Sequence, residues 1–563
     1  MLRDFRKAQR VLGREGARGV YKGILRRIEN VRRNRLYREW VAKYDDPLAD
    51  SEMTGVANAI NDFRLKPRIS VVMPVYNIEE KWLRKAIESV LHQSYPYWEF
   101  CIADDNSPSS HIRRILDEYA SRDNRIRIEY RTQNGHISAA SNSALECATG
   151  EFTALLDHDD ELAPNALYFV VKEINAHPTV DMIYSDEDLI DIRGQRIWPK
   201  LKPDWSPELF YSLNLITHLS VYRTSILRQI GGFREGFEGS QDYDLALRVY
   251  ERTDPERIRH IPRILYHWRA IPGSVALDSG EKGYAHDRAR QSLDDYFSRN
   301  EVNASSVPGF GVLHRAVYSL PEPLPLVSLI IRPEGKRSVE SLVAKTSYAN
   351  VEIILTDQGQ SFFTALNNAA RAASGTVLCF LDASTVIKTS EWLAELVSNA
   401  LRGSIGVVGP KISYPDRKIK SAGLVLGIDG GVGRAHHRWR SDSVGNFFRL
   451  QVAQNVSALP IDCFAIRKDV FIENKGFDAK AFPREYGDVD LCLRLLDKGY
   501  RNVWTPWAEV TQKTEHKFKK GAELDLLIMR WAKYFENDPY YNPNLTADAE
   551  DLSLAFPPRI SKI

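Results

Sequence analysis

The sequence predicts an α/β fold built twice in tandem, and three observations carry that expectation. From Arg68 onward, short β-branched runs alternate with amphipathic stretches, the pattern of strands and helices interleaved around a mostly parallel sheet. The strand-like runs stop on acidic or polar residues, the end of an open α/β sheet at which ligands gather. The same order of runs recurs from Val327, so the second half of the chain repeats the first.

With 563 residues the chain is too long for one core and suits two large domains plus an appendage. Its 76 basic and 74 acidic residues nearly cancel, but residues 1–66 open with a dense basic stretch, Arg3 to Lys43, interleaved with Phe5, Leu12, Tyr21, Ile28, Leu36, Tyr37 and Trp40 at roughly helical spacing. Two readings of this region stay open: a basic amphipathic arm on an anionic membrane surface, through residues 1–45, or an arm packed on the catalytic body. Nucleic acid is not expected as a partner, since the rest of the chain shows no basic stripe and no known binding module. The cysteines, Cys101, Cys147, Cys379, Cys463 and Cys492, are odd in number and never form a CxxC pair. They read as reduced core residues of a cytoplasmic protein. No apolar run approaches the roughly 18 residues that span a bilayer.

The first domain is expected over residues 67–307. Ile69 to Asn77 reads as a strand, Trp82 to His92 as an amphipathic helix, and Trp98 to Asp105 as a second strand. Ile126 to Tyr130 is a third strand leading to Asn134-Gly135, and a helix from Ile137 to Cys147 leads to a strand that stops on Asp157-His158-Asp159-Asp160. A strand ending on Asp-X-Asp holds two carboxylates about one strand repeat apart, which suits a divalent cation and the diphosphate it bridges. Three strand ends thereby converge on one crevice. A Pro- and Gly-rich linker, 308–325, separates this domain from a second over 326–545, and 546–563 is a C-terminal tail.

The repeat is visible residue by residue. Val327 to Ile331 echoes the first strand, Val351 to Asp357 the second, and Val377 to Asp382 the strand ending at Asp157. Gly232-Phe233 followed by Gln241-Asp242-Tyr243-Asp244-Leu245 is matched by Gly476-Phe477 followed by Gly487-Asp488-Val489-Asp490-Leu491.

Pro74-Val75-Tyr76-Asn77, Asp104-Asp105, Asp157-His158-Asp159-Asp160 and Gln241-Asp242, in that order, resemble family 2 glycosyltransferases with the GT-A fold. Tyr184-Ser185-Asp186-Glu187-Asp188, Lys202-Pro203-Asp204-Trp205-Ser206-Pro207 and His260 to Arg269 look like bacterial enzymes of O-antigen and related surface-polysaccharide assembly. The resemblance implies two tandem GT-A domains and a metal-dependent inverting transfer of sugar from a nucleotide-diphosphate donor, of the UDP or dTDP type, to a glycan or lipid-linked glycan acceptor. It also implies a cytoplasmic location, with the inner membrane face as an added site if the arm binds lipid.

By the family pattern, Mn2+ or Mg2+ would be held by Asp157, Asp159 and His267, the last lying twenty-five residues after Asp242. Pro74, Tyr76, Asp104, Asp105, Asn134 and Asp157 would bind the nucleotide sugar; Asp105, with Asp104 as a second candidate for the same role, would read the imide N–H of the base. Asp104 has an alternative role as a cap for the helix starting near Ser109. Asp242 would deprotonate the acceptor, with Asp244 as competitor.

The second copy departs from the pattern. Arg332-Pro333-Glu334-Gly335 replaces Pro-Val-Tyr-Asn, and Asp382-Ala383-Ser384-Thr385 keeps one carboxylate of the acidic motif. Lys513 stands twenty-five residues past Asp488, and only 25 residues separate Asp357 from Asp382 against 52 from Asp105 to Asp157. The second half is therefore expected to lack a working donor site and to serve as acceptor-binding or scaffold domain, with Trp504, Trp507, His436 and His437 as candidate sugar contacts. Two other readings stand beside this one: a bifunctional or polymerising enzyme, and a non-catalytic glycan-binding assembly protein.

Overall fold

The computed structural model describes residues 31–45, 50–271, 283–332, 345–357, 359–513 and 518–561. It contains two large mixed sheets, each flanked by helices. In the first, β1 (Ile69–Val75), β2 (Trp98–Asp104), β3 (Ile126–Tyr130) and β4 (Phe152–Leu155) run parallel. β5 (Glu161–Leu162), β6 (Met182–Ile190), β7 (Arg196–Lys200), β8 (Ser220–Arg223) and β9 (Ile258–Arg269) complete it, in the order β3-β2-β1-β4-β8-β6-β9-β5 with β7 on β6. β8 is antiparallel to both of its neighbours, β4 and β6. All seven residues of β1 are buried, because helices cover both faces, and such a strand reads as an unbroken apolar run.

A small antiparallel pair follows, β10 (Ala304–Pro308) and β11 (His314–Tyr318). The stretch expected as a linker, 308–325, therefore begins inside a hairpin, and only the residues after Tyr318 connect the halves. The second sheet is built from β12 (Val327–Arg332), β13 (Val351–Leu355), β14 (Val377–Asp382), β15 (Val386–Ile387), β16 (Ile405–Ser413), β17 (Ile419–Ser421), β18 (Leu424–Ile428), β19 (Gly431–Arg434), β20 (Gln454–Asn455), β21 (Cys463–Arg467) and β22 (Arg501–Thr511), of which β18 and β19 form a separate ribbon. Its order, β13-β12-β14-β21-β16-β22-β15, repeats that of the first sheet without a partner for β3. The GT-A-like α/β architecture thus occurs twice, and among the described residues the second copy has no counterpart of the edge strand β3.

The duplication extends to individual hydrogen bonds. Glu99 accepts from Ser70 Oγ (2.7 Å) and Gly150 N (2.9 Å), and Glu352 accepts from Ser328 Oγ (2.5 Å) and Gly375 N (3.0 Å). A Cβ on Gly150 would meet Arg68 O at 2.5 Å, and one on Gly375 would meet Ser328 Oγ at 2.5 Å, so only glycine fits either turn. Arg248 bridges Asp244 (2.8 Å) to Gly232 O (2.6 Å), as Arg494 bridges Asp490 (2.8 Å) to Gly476 O (2.6 Å). The repeated Gly-Phe and Asp-Leu-X-Leu-Arg pieces are thus a structural clamp between a turn and a helix.

Residues 31–44 are helical, and Tyr37, Trp40 and Val41 are buried against the body. Tyr37 OH donates to Asp188 (2.5 Å) and Trp40 Nε1 to Ala555 O (3.0 Å). The described part of the basic arm packs on the body; residues 1–30 lie outside the described residues. No helix among the described residues is long and apolar enough to cross a membrane.

Candidate active site

The carboxyl ends of β1, β2 and β4 open into a cavity of about 630 Å³ closed on its far side by the start of the helix Gln241–Tyr250. Pro74, Tyr76, Asp105, Asn134, Asp157, Asp159 and Asp242 all line it. The strand periodicity explains the one aspartate missing from this wall: successive side chains alternate, so Asp104 and Asp105 face opposite ways. Asp105 accepts from Arg131 Nε (2.9 Å) and Gly135 N (2.9 Å) at the cavity. Asp104 instead accepts from Ser107 N (3.2 Å), holding the turn after β2, which corrects its expected share in base reading. Asn134 donates to Asp105 O (3.3 Å), and Tyr76, 46% exposed, stands at the mouth.

At the acidic motif, His158 Nδ1 lies 3.1 Å from Pro74 O, tying the two loops together. Asp160 is fully buried beneath the pair that faces the cavity, accepting from Tyr266 OH (2.6 Å) and Arg269 N (2.7 Å). Burial, with Asp159 and Asp157 nearby, pushes its carboxyl well above the usual range. Tyr266 and Trp268 share one face of β9, and Trp268 lines the cavity. His267 is on the other face, its Nδ1 2.6 Å from Asp188, so it does not reach the cavity and its expected metal role is corrected.

The imidazole that does reach the site is His218. Asp157, Asp160 and His218 present carboxylate and ring-nitrogen atoms within 4.8 Å of one another. His218 stacks on Tyr266 with ring centroids 4.3 Å apart, and burial pulls its ring down to about 4, leaving it neutral and able to ligate. Two carboxylates and a neutral imidazole fit a divalent ion that accepts mixed oxygen and nitrogen donors, such as Mn2+. Asp159 lines the cavity but is not part of this group. His218 sits in Leu215-Ile216-Thr217-His218-Leu219, an apolar run with no acidic neighbour, so no local sequence signal marks it.

Its loop is fixed from beneath by a buried ion pair. Glu187 accepts from His218 N (3.1 Å), Thr217 Oγ1 (2.8 Å) and Lys202 Nζ (3.3 Å), and Lys202 Nζ donates to Ile216 O (3.1 Å) and His218 O (2.7 Å). Burial alone would raise Glu187; Lys200, Lys202 and His218 outweigh it and hold the carboxyl below its ordinary value.

Asp242 is the second residue of the helix Gln241–Tyr250 and accepts from Asn214 Nδ2 (2.7 Å). Burial raises its carboxyl above the usual value, against backbone N–H groups of the helix start that favour the charged form. Asp244 faces away, engaged by Arg234 and Arg248, which removes it as a rival for the cavity.

Comparison with known proteins adds the lineage. The model of "Glycosyl transferase family 2" matches residues 70–231 and again 335–474, together more than half of the chain. The chain is 33% identical to an O-antigen biosynthesis protein RfbC of Myxococcus xanthus over 547 residues, covering 90% of this chain and 42% of that one. It is 39% identical over 540 residues to an uncharacterized protein of Sinorhizobium fredii, covering 87% of this chain and 59% of that one. The chain thus spans about half the length of the curated relatives it matches. Among solved structures, Staphylococcus aureus TarS 1-349 in complex with UDP shares 21% identity at a TM-score of 0.31, covering 41% of this chain and 72% of that one.

Proposed function

Because the chain belongs to glycosyl transferase family 2, we propose that its first half transfers a sugar from a nucleotide-diphosphate donor to a glycan acceptor, with inversion, in the assembly of a bacterial surface polysaccharide. The observation that carries this reading is the single cavity that joins the acidic motif, the Asp105 crevice and the raised carboxyl of Asp242. Its similarity to an O-antigen biosynthesis protein supports the pathway.

Asp105, set by Arg131 and Gly135, accepts the imide N–H of a uracil or thymine base, with Tyr76 at the mouth as the opposite wall. Asp157, Asp160 and His218 would hold a divalent ion, and Asp159 faces the same space. Such an ion, when bound, offsets the negative charge that grows on the diphosphate as it departs. Asp242, on the far wall, takes the proton from the acceptor hydroxyl, and its raised affinity for a proton suits it to that role. The acceptor is read as a lipid-linked glycan at the inner face of the cytoplasmic membrane.

The reading is tested by donor turnover with Asp242→Asn and Asp157→Asn. Loss of turnover in both, with nucleotide stabilisation by Mn2+ kept in the first and lost in the second, is the expected pattern; full turnover in both defeats it.

A further inference from the structure

The second half has its own cavity, about 720 Å³, at the same strand ends. The sheet registers pair the two sites residue by residue. Phe152 opposes Arg223 on β8 as Val377 opposes Arg467 on β21, which sets Asp382 level with Asp157, Thr385 with Asp160, and Asp462 with His218. Glu161 opposes His267 as Val386 opposes Thr511, so the counterpart of His267 is Thr511; Lys513, expected there from spacing, lies beyond the strand.

At this second site a lysine occupies the heart of the register. Lys420 has no exposed side chain and pairs with Asp462 (3.1 Å), while its Nζ donates to Gln512 Oε1 (2.6 Å). Gln512 Nε2 in turn donates to Thr385 Oγ1 (2.9 Å) and Asp462 O (3.0 Å). The three positions that gather metal-ligating atoms in the first half are here an aspartate, a threonine and an aspartate already neutralised by an internal ammonium. A divalent ion would meet that charge in a poorly screened interior.

The nucleoside wall also differs. In the first half, Asp105 is set by Arg131 and Gly135, which follow β3, and among the described residues the second sheet has no counterpart of β3. Asp357 lies level with Asp104, the aspartate that stays out of the first cavity. What remains is a half-open cavity with Asp382 and Asp488 on its walls and Phe362 and Phe518 among its lining, Phe518 being stacked on the buried Tyr486 (5.6 Å) with the Arg434 guanidinium also over its ring (4.8 Å). Carboxylates accept from vicinal hydroxyls, and aromatic rings cover the apolar C–H face of a pyranose. The residues first expected to meet sugar do not line it: Trp504 is fully buried, and His436 is buried with Asn446 N on its ring.

We propose that the second cavity is a metal-independent binding site for neutral glycan, with Lys420 replacing the divalent ion. It rests on reading the first cavity as the donor site only in taking the ligand to be acceptor rather than donor. The test uses the full chain in EDTA and saturation-transfer NMR with chitobiose, lactose and maltose. Signal from at least one disaccharide is expected, reduced tenfold or more in apparent affinity by Asp382→Asn and by Phe518→Ala, with stabilisation by UDP and Mn2+ reporting separately on the first cavity and on folding. No signal from any of the three sugars, signal indifferent to both substitutions, or UDP signal in EDTA that disappears with Asp382→Asn would overturn it. If the sugar signals behave as expected while UDP with Mn2+ gives no stabilisation, the donor reading fails and this one stands.

Discussion

Asp242 combines three features that separate it from every other carboxylate of its helix: it faces the cavity, it is held by Asn214, and its proton affinity is raised by burial. Its replacement by Asn keeps the shape and the hydrogen bond while removing the proposed base, and turnover is expected to fall by about 10²–10⁴-fold with little change in donor KM. Because the folded-state value lies above the ordinary 3.8, ionising this group in the native state costs stability. The parent therefore loses stability, relative to the Asn variant, as pH rises from about 3.8 through the raised value. Asp242→Asn should melt higher than the parent at pH 7, with the gain vanishing in acid; equal melting at both pH values would show that the carboxylate carries no such strain. The acid limb of the kcat/KM profile should likewise lie above pH 3.8.

At the scale of elements, the loop before β8 is held by the Glu187–Lys202 pair rather than by its own sequence. Breaking a buried pair from one side leaves an uncompensated charge, so Glu187→Gln and Lys202→Met are each expected to cost about 3–5 kcal/mol in denaturant unfolding, and the double variant to recover part of it. Glu187→Gln should also weaken Mn2+ binding, measured by titration, since a neutral amide holds the His218 loop less firmly than the carboxylate does. This loop marks the boundary of what the sequence discloses. Strands ending on Asp105 and Asp157 were legible because their apolar runs stop abruptly, and Asp242 because its helix start recurs at Asp488. His218 and Asp160 were not, since their roles come from pairing between distant strands: β8 lies beside β4, and β9 carries Tyr266 to Asp160. His267 misled for the same reason. Spacing placed it correctly along the chain, but strand alternation turned it to the opposite face, toward Asp188. Asp244 and Asp490 show a further limit, because a repeated motif can be repeated for packing, and their arginine clamps do that here.

Across the whole molecule the two halves are joined by polar groups that neither could satisfy alone. Glu208 of the first half is buried between Arg402 (2.8 Å) and Arg501 (3.2 Å) of the second, and Ser206 Oγ donates to Asn455 (2.9 Å). Asp186 accepts from Asn542 Nδ2 (2.8 Å) near the C-terminus and pairs with His260 (3.0 Å). Burial opposes the charge on His260, but Asp186 and Asp204 outweigh it and raise the ring to about 9. The folded-state value lies above the ordinary 6.5, so this pair contributes stability that is fully present below about pH 6.5 and is lost as pH rises through about 9. Melting of the parent should therefore fall between those values, and His260→Asn should flatten that dependence. Expressed alone, residues 67–307 would leave Glu208 without Arg402 and Arg501 and Asp186 without Asn542, and are expected to be markedly less stable than the full chain by thermal melting.

One site in the first half is proposed to perform the chemistry, with Asp242 as base. Release of nucleoside diphosphate from a nucleotide sugar, compared between the parent and Asp242→Asn under saturating Mn2+, tests it most directly. A fall of at least about 10²-fold with nucleotide stabilisation retained is expected; turnover within threefold of the parent would exclude Asp242 as the base.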